Sequence, residues 1–217
     1  MPIKKKARKG YVSYPVGCLV FSCGAFLFIR SALGTDPLDV FALGLGRYVP
    51  VTVGVAQLAV AVLCLGAVAV WTRERPALSP LFTFFFCGSV VDVLTWADAG
   101  RSVHLHPAAL LVPATLLCAY GSALIIMSGF GIRAVDLLAL TVTSRLRWPF
   151  WAAKGAIETA LMVAGFLMGG PLGVGTVVFL AGVDLLVQPL MAANSRILRL
   201  PNRGFPETPA GIPSTIG

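Results

Sequence analysis

Lys154 and Glu158 stand four residues apart inside an apolar stretch, so on a helix they share one face. An ionisable group within a bilayer is costly, and it usually turns toward a protein interior, a cavity or a transport path. Two readings follow. The pair is a mutually neutralising one whose lysine snorkels to the headgroups, or it is a polar site for a solute or an ion. Asp39 and Asp136 form a second candidate set. Asp36 suits a helix N-cap, Pro37 the first helical position, and Asp39 the third, where the helix dipole favours a carboxylate. Capping explains Asp39 without a ligand. The functional alternative is that Asp39 and Asp136 mark two related short helices beside a cavity for a cation or cationic solute.

Three further charges support these. Arg30 ends the first apolar run, where it can snorkel, contact an anionic solute, or pair with an acid such as Asp92. Asp92 lies in the third run and Asp184, with Gln188 on its helix face, in the last. Carboxylates in such places relay protons, bind sodium ions, cap broken helices or pair with Lys154. No nucleophile–base set or phosphate loop accompanies them, so neither enzymatic activity nor a cofactor is expected. His104 and His106 lack a third ligand and make a poor metal site. Cys18, Cys23, Cys64, Cys87 and Cys118 sit in apolar runs without metal spacing and read as packing residues.

The elements that must position these residues are membrane helices. The 217 residues are 57% hydrophobic and only 12% charged, with a mean hydropathy of +0.86. A soluble domain of this length needs more charge at its surface. A helix in lipid satisfies its own backbone, so its apolar side chains can face the bilayer. Six runs reach the roughly 20 residues a span requires: about 11–30, 49–71, 77–97, 108–128, 149–169 and 172–192. The first reads as a retained span, with no convincing cleavage site for a signal peptide.

The net charge of +8 does not indicate nucleic acid, because the basic residues flank the apolar runs. With the N-terminus cytoplasmic, 13 of the 17 basic residues fall on the cytoplasmic side, among them Lys4, Arg73, Arg133 and Arg196. The tail beyond Leu200, rich in proline and glycine, is expected to be disordered in the cytoplasm. These readings place the chain in a bacterial cytoplasmic membrane, multi-pass, with both termini inside.

Shifted by 97 residues, the sequence aligns with itself. Gly34 meets Gly131, Asp39 meets Asp136, and 8 of the 20 positions from 24 to 43 are identical. A weaker echo joins Leu78, Phe85 and Gly88 to Leu172, Phe179 and Gly182. Each copy has three spans and one short segment after its first span, about 36–47 and 133–147. An odd number of spans inserts the second copy upside down, the inverted-repeat plan of secondary transporters. The expectation is therefore an all-α membrane protein of four segments: a basic N-terminus at 1–10, repeats at 11–105 and 106–195, and the tail at 196–217.

The carrying motifs are Leu33-Gly-Thr-Asp-Pro-Leu-Asp39, Phe130-Gly-Ile-Arg-Ala-Val-Asp136, the Lys154–Glu158 pair, and Leu172-Gly-Val-Gly-Thr176 followed by Gly182. By these motifs the chain resembles the YczE/YyaS/YitT group of bacterial membrane proteins over about residues 14–192, most closely its YczE-like branch. It departs from the group at Ala134, where a proline is usual. The resemblance implies a multispanning membrane protein that is a transporter or an accessory factor, and it supplies no substrate. Two functions stay open. One is a secondary transporter of a small solute or ion by alternating access. The other is a non-transporting accessory or regulatory protein that binds a partner within the bilayer, where a second copy of the chain is also an eligible partner.

Overall fold

Residue types explain each helix. The computed structural model describes residues 3–73, 78–99, 106–130, 133–148 and 150–197, and among these it is helical, without strands. Helix α1 runs over Ile3–Ser31, through the basic N-terminal segment. Its last turn is closed by Ser31, whose Oγ donates to the Phe28 carbonyl at 2.7 Å and accepts from the Leu33 amide at 3.2 Å. Gly34, at φ +111°, then turns the chain, a conformation open to glycine because it lacks a Cβ. Helix α2 is short, Pro37–Leu45, and starts as its residue types predict. Asp36 caps it by accepting from the Asp39 amide at 2.8 Å.

Helix α3 covers Val53–Thr72, α4 Ser79–Trp96 and α5 Pro107–Ser128. The second short helix, α6, is Ala134–Leu146, followed by α7 at Phe150–Leu167. The last apolar run is interrupted. Helix α8, Val174–Val178, passes into a π-wound turn at Phe179–Val183 and then into α9, Asp184–Ile197. Such π-turns are uncommon and often sit near functional sites.

Five stretches are long and apolar enough to cross a membrane: Val12–Ser31, Val53–Thr72, Ser79–Trp96, Pro107–Ser128 and Val174–Ile197. They coincide with five of the six expected runs. The remaining run became α7, eighteen residues that include Lys154 and Glu158. The tail after Ile197 and the loop residues Arg75 and Arg101 lie outside the described residues.

The elements recur in order. Helices α2 and α6 begin at Pro37 and Ala134, and α3 and α7 at Val53 and Phe150, each pair 97 residues apart. The end of α5 copies the end of α1: Ser128 Oγ donates to the Ile125 carbonyl at 2.6 Å and accepts from the Phe130 amide at 3.1 Å.

The two equivalent helices α1 and α5 pack on each other at the centre, burying Cys18, Phe21, Ala25 and Phe28 against Ala114, Cys118 and Ala119. Their crossing is close because glycines form it. A Cβ at Gly24 would stand 2.7 Å from the Cys118 amide nitrogen, and one at Gly121 would stand 2.7 Å from the Phe21 Cα. These two contacts exchange under the 97-residue shift.

Gly121→Val is therefore expected to force α1 and α5 apart and lower stability by about 1–3 kcal/mol, the usual cost of overpacking. Gly66→Ala, inside α3 at a position with open space around it, is expected not to lower stability. Thermal unfolding of the two purified variants in one detergent checks both; equal loss from each would contradict the packing assignment.

Candidate functional site

The turn between α1 and α2 buries its polar residues. Thr35, Asp36 and Asp39 are each 5% exposed or less. The Asp39 carboxylate accepts from Gln57 Nε2 of α3 at 2.6 Å and from Thr35 Oγ1 at 3.3 Å. The capping reading of this segment holds for Asp36, while Asp39 is held by a side chain from a different helix. Burial, reinforced by the neighbouring Asp36 carboxylate, pushes the Asp39 carboxyl well above the usual carboxylate range; the Gln57 and Thr35 hydrogen bonds oppose this. Burial also raises Asp36, against the attraction of Arg133.

The second repeat brings its own charges to the same place. Arg133, immediately before α6, lies 3.3 Å from Asp136 through Nε and 4.0 Å from Asp36 through NH1. Its guanidinium carbon lies 5.8 Å from the Phe21 ring centroid, within cation–π range. Lys154 Nζ reaches Glu158 at 3.6 Å and Asp136 at 4.0 Å. All of these side chains are largely buried. Asp36, Asp39, Asp136, Glu158, Arg133 and Lys154 therefore form one charged cluster where α2, α3, α6 and α7 converge.

Four of the sequence-derived site residues meet here: Asp39, Asp136, Lys154 and Glu158. The others do not join them. Asp92 accepts from the Val53 and Gly54 amides, both at 3.0 Å, and so caps α3. Arg30 pairs with Asp98 at 3.6 Å and donates to the Ala99 carbonyl at 3.2 Å, so Asp92 is not its partner. Asp184 opens α9, and its side chain lies outside the described residues.

Sequence reasoning missed Arg133, Gln57 and Ser122. Arg133 was counted with the cytoplasmic positive residues, but it turns inward because buried carboxylates stand on both sides of it. A sign was present in the internal repeat. Arg133 falls opposite Asp36 and Lys154 opposite Gln57 at the 97-residue offset. Equivalent positions thus make equivalent contacts: Gln57 holds Asp39 as Lys154 faces Asp136. Asp36 and Arg133, equivalent to each other, meet directly.

Beside the cluster is a cavity of about 20 Å³, walled in part by Asp36, Gln57, Ser122, Arg133 and Asp136. That is room for about one water molecule.

A model of a family of unknown function, DUF6198, matches residues 8–191. The uncharacterised protein YyaS of Bacillus subtilis is 26% identical over 201 residues, covering 89% of this chain and 98% of that protein. The uncharacterised membrane protein YczE of the same organism is also 26% identical, over 86% of this chain and 89% of its own length. An uncharacterised protein of Haemophilus influenzae is 22% identical over 84% of this chain. No solved structure matches. The motif-based resemblance thus extends over most of the chain, which is a membrane protein with several apolar helices.

A raised native carboxyl means that the folded chain binds a proton the unfolded chain releases. Stability is then expected to fall as pH rises from the ordinary carboxylate value toward the raised native one. Asp39→Asn is expected to flatten that slope; an unchanged slope in thermal unfolding across this range would assign it to other groups. Arg133→Met should cost about 3–5 kcal/mol by stranding buried carboxylates, and Asp36→Asn on that background should restore part of the loss.

Proposed function

The chain belongs to this family of unknown function, and on that premise we propose that it is a secondary transporter of a small solute or ion, working by alternating access. The observation that carries the proposal is the Asp36–Arg133 pair, which joins equivalent residues of the two repeats at the start of two short helices. Transporters built from inverted repeats place their sites between interrupted helices at the bilayer midplane. Here α2 and α6 supply the interrupted helices, and the broken α8–π–α9 run adds a third discontinuity. The reciprocal contacts of α1 with α5, and of α2 with α7 as α3 with α6, support a two-fold relation between the halves.

In this reading α7 is the fifth of six spans, the second repeat is inverted, and both termini face the cytoplasm of a bacterium. Lys154 and Glu158 then lie within the protein interior of a span, which is the setting in which such charges are functional. The cluster is a gate. Arg133 and Lys154 share Asp136, so either cation can exchange carboxylate partners when one half rocks against the other. Opening the site to one face breaks the Asp36–Arg133 contact and exposes four carboxylates to the solute.

The test is flux in liposomes containing the purified protein, over a panel of small cationic, zwitterionic and neutral solutes. Arg133→Gln, Lys154→Met and Glu158→Gln are each expected to reduce flux at least about tenfold, the effect of losing one interaction of about 1.4 kcal/mol. Variants that carry solute like the parent would make the cluster structural. A parent that moves no solute would favour the accessory reading. Labelling single cysteines placed at Arg73 and Arg147 from each side is expected to find both cytoplasmic; a periplasmic Arg73 would remove the inverted arrangement.

A further inference from the structure

Two residues that line the small cavity each leave a buried side-chain atom without a hydrogen-bond partner, Gln57 Oε1 and Ser122 Oγ. Both residues are more than nine-tenths buried. Buried polar atoms are nearly always satisfied, so an unsatisfied pair at one cavity calls for an occupant. The amide orientation is set from its other end. Gln57 spends Nε2 on Asp39 at 2.6 Å, which leaves its carbonyl oxygen as the unpartnered end of the amide. A carbonyl accepts only, and a serine hydroxyl can accept as well as donate.

Charge decides what the occupant is. The cavity is walled by two carboxylates, Asp36 and Asp136, and one guanidinium, Arg133. The carboxylate in excess is buried, where an uncompensated charge is expensive. The two repeats differ at the decisive position. In the second repeat Lys154 brings a built-in ammonium to Asp136. In the first, the equivalent residue is the neutral Gln57, and Ser122 is equivalent to the apolar Ala25. Arg133 is shared between the halves, with Nε 3.3 Å from Asp136 and NH1 4.0 Å from Asp36.

We infer that this cavity is a binding site for one small monovalent cation, sodium, held by Gln57 Oε1, Ser122 Oγ, Asp36 and Asp136. All four donors are hard oxygens, which suits a hard cation. Among the described residues no three His, Cys, Asp or Glu side chains are grouped to hold a metal ion, and the adjacent guanidinium disfavours a divalent one. The volume admits an ion of about the size of water and excludes an organic solute. This inference deepens the transporter reading and rests on it only for the use of the ion, since sodium is then the coupling ion and the solute binds elsewhere along the opened cluster.

The experiment uses the full-length protein in detergent. Radioactive sodium binding is measured by scintillation proximity, and thermal unfolding is followed as sodium replaces choline at constant ionic strength. Saturable binding near one ion per chain is expected, with an unfolding midpoint that rises with sodium, as linkage requires. Magnesium is expected not to compete. Ser122→Ala should weaken sodium binding about tenfold, the loss of one ligand, without lowering the midpoint in choline, because its hydroxyl has no protein partner. Gln57→Lys should place a built-in cation beside Asp39, abolish sodium binding and raise the midpoint in choline.

Absence of saturable binding would overturn the site and leave a water or a proton in the cavity. So would equal affinity in Ser122→Ala, or displacement by magnesium. Sodium binding in a protein that moves no solute sustains the site and defeats the transporter reading. Flux that continues in a protein that binds no sodium does the reverse.

Discussion

The structure depends on bringing two helix starts together in a place that excludes water. Helices α2 and α6 begin near enough for Asp36 to stand 4.0 Å from Arg133. Each start exposes amide groups and a partial positive charge. In a low dielectric these would repel, and their unpaired amides would be costly. The carboxylates answer both needs. Asp36 takes up the Asp39 amide, and Asp39 and Asp136 sit in the first turns of their helices. The acidic cluster is thus first a condition of the fold, and its chemical capacity arises from meeting that condition.

That closeness requires backbones without side chains between them. Gly24 and Gly121 allow α1 to lie directly on α5. Gly165 lets α7 lie on α2, where a Cβ would stand 2.6 Å from the Phe41 Cα, and a Cβ on Gly44 would meet the Gly165 carbonyl oxygen at 2.5 Å. The turn after α1 is held to the broken last run by the Gly175 amide, which donates to the Leu33 carbonyl at 2.7 Å. In lipid there is no hydrophobic drive between helices, so such small-residue contacts supply much of their association. The discontinuity at Val174–Val183 is therefore tied to the turn that presents Asp36. Movement of one would reach the other through this contact.

The helices were legible because their rules are local. Apolar run length marked five helices long and apolar enough to cross a membrane, and Asp36-Pro37 marked the start of α2 within a residue. The two short helices came from the repeat, at Pro37 and Ala134. The site was only half legible, because pairing across a fold is not local. Lys154–Glu158 is an i, i+4 pair and could be read along the chain. Gln57–Asp39 and Arg133–Asp36 join residues whose meeting depends on how helices cross. Arg30 and Asp92 show the converse: both are charged and near apolar runs, yet one binds the loop after α4 and the other caps α3. Their residue types alone do not separate them from Asp39.

The two-fold packing proposed above also explains why the repeats differ where they meet. A residue on such an axis faces its own equivalent, as Asp36 faces Arg133. Identical ionisable groups there would place like charges together, and two buried carboxylates cannot both stay ionised at contact distance. Divergence at one position, aspartate in the first repeat and arginine in the second, converts repulsion into attraction. The same argument applies one turn of helix away. If Gln57 were lysine, as its equivalent is, the cluster would hold a balancing cation in each half and have no place for another. If Lys154 were glutamine, the cluster would be still more negative. The asymmetry of a single amide and a single ammonium therefore sets how much positive charge the site must take from outside, and the symmetric parts of the fold hold that imbalance in place.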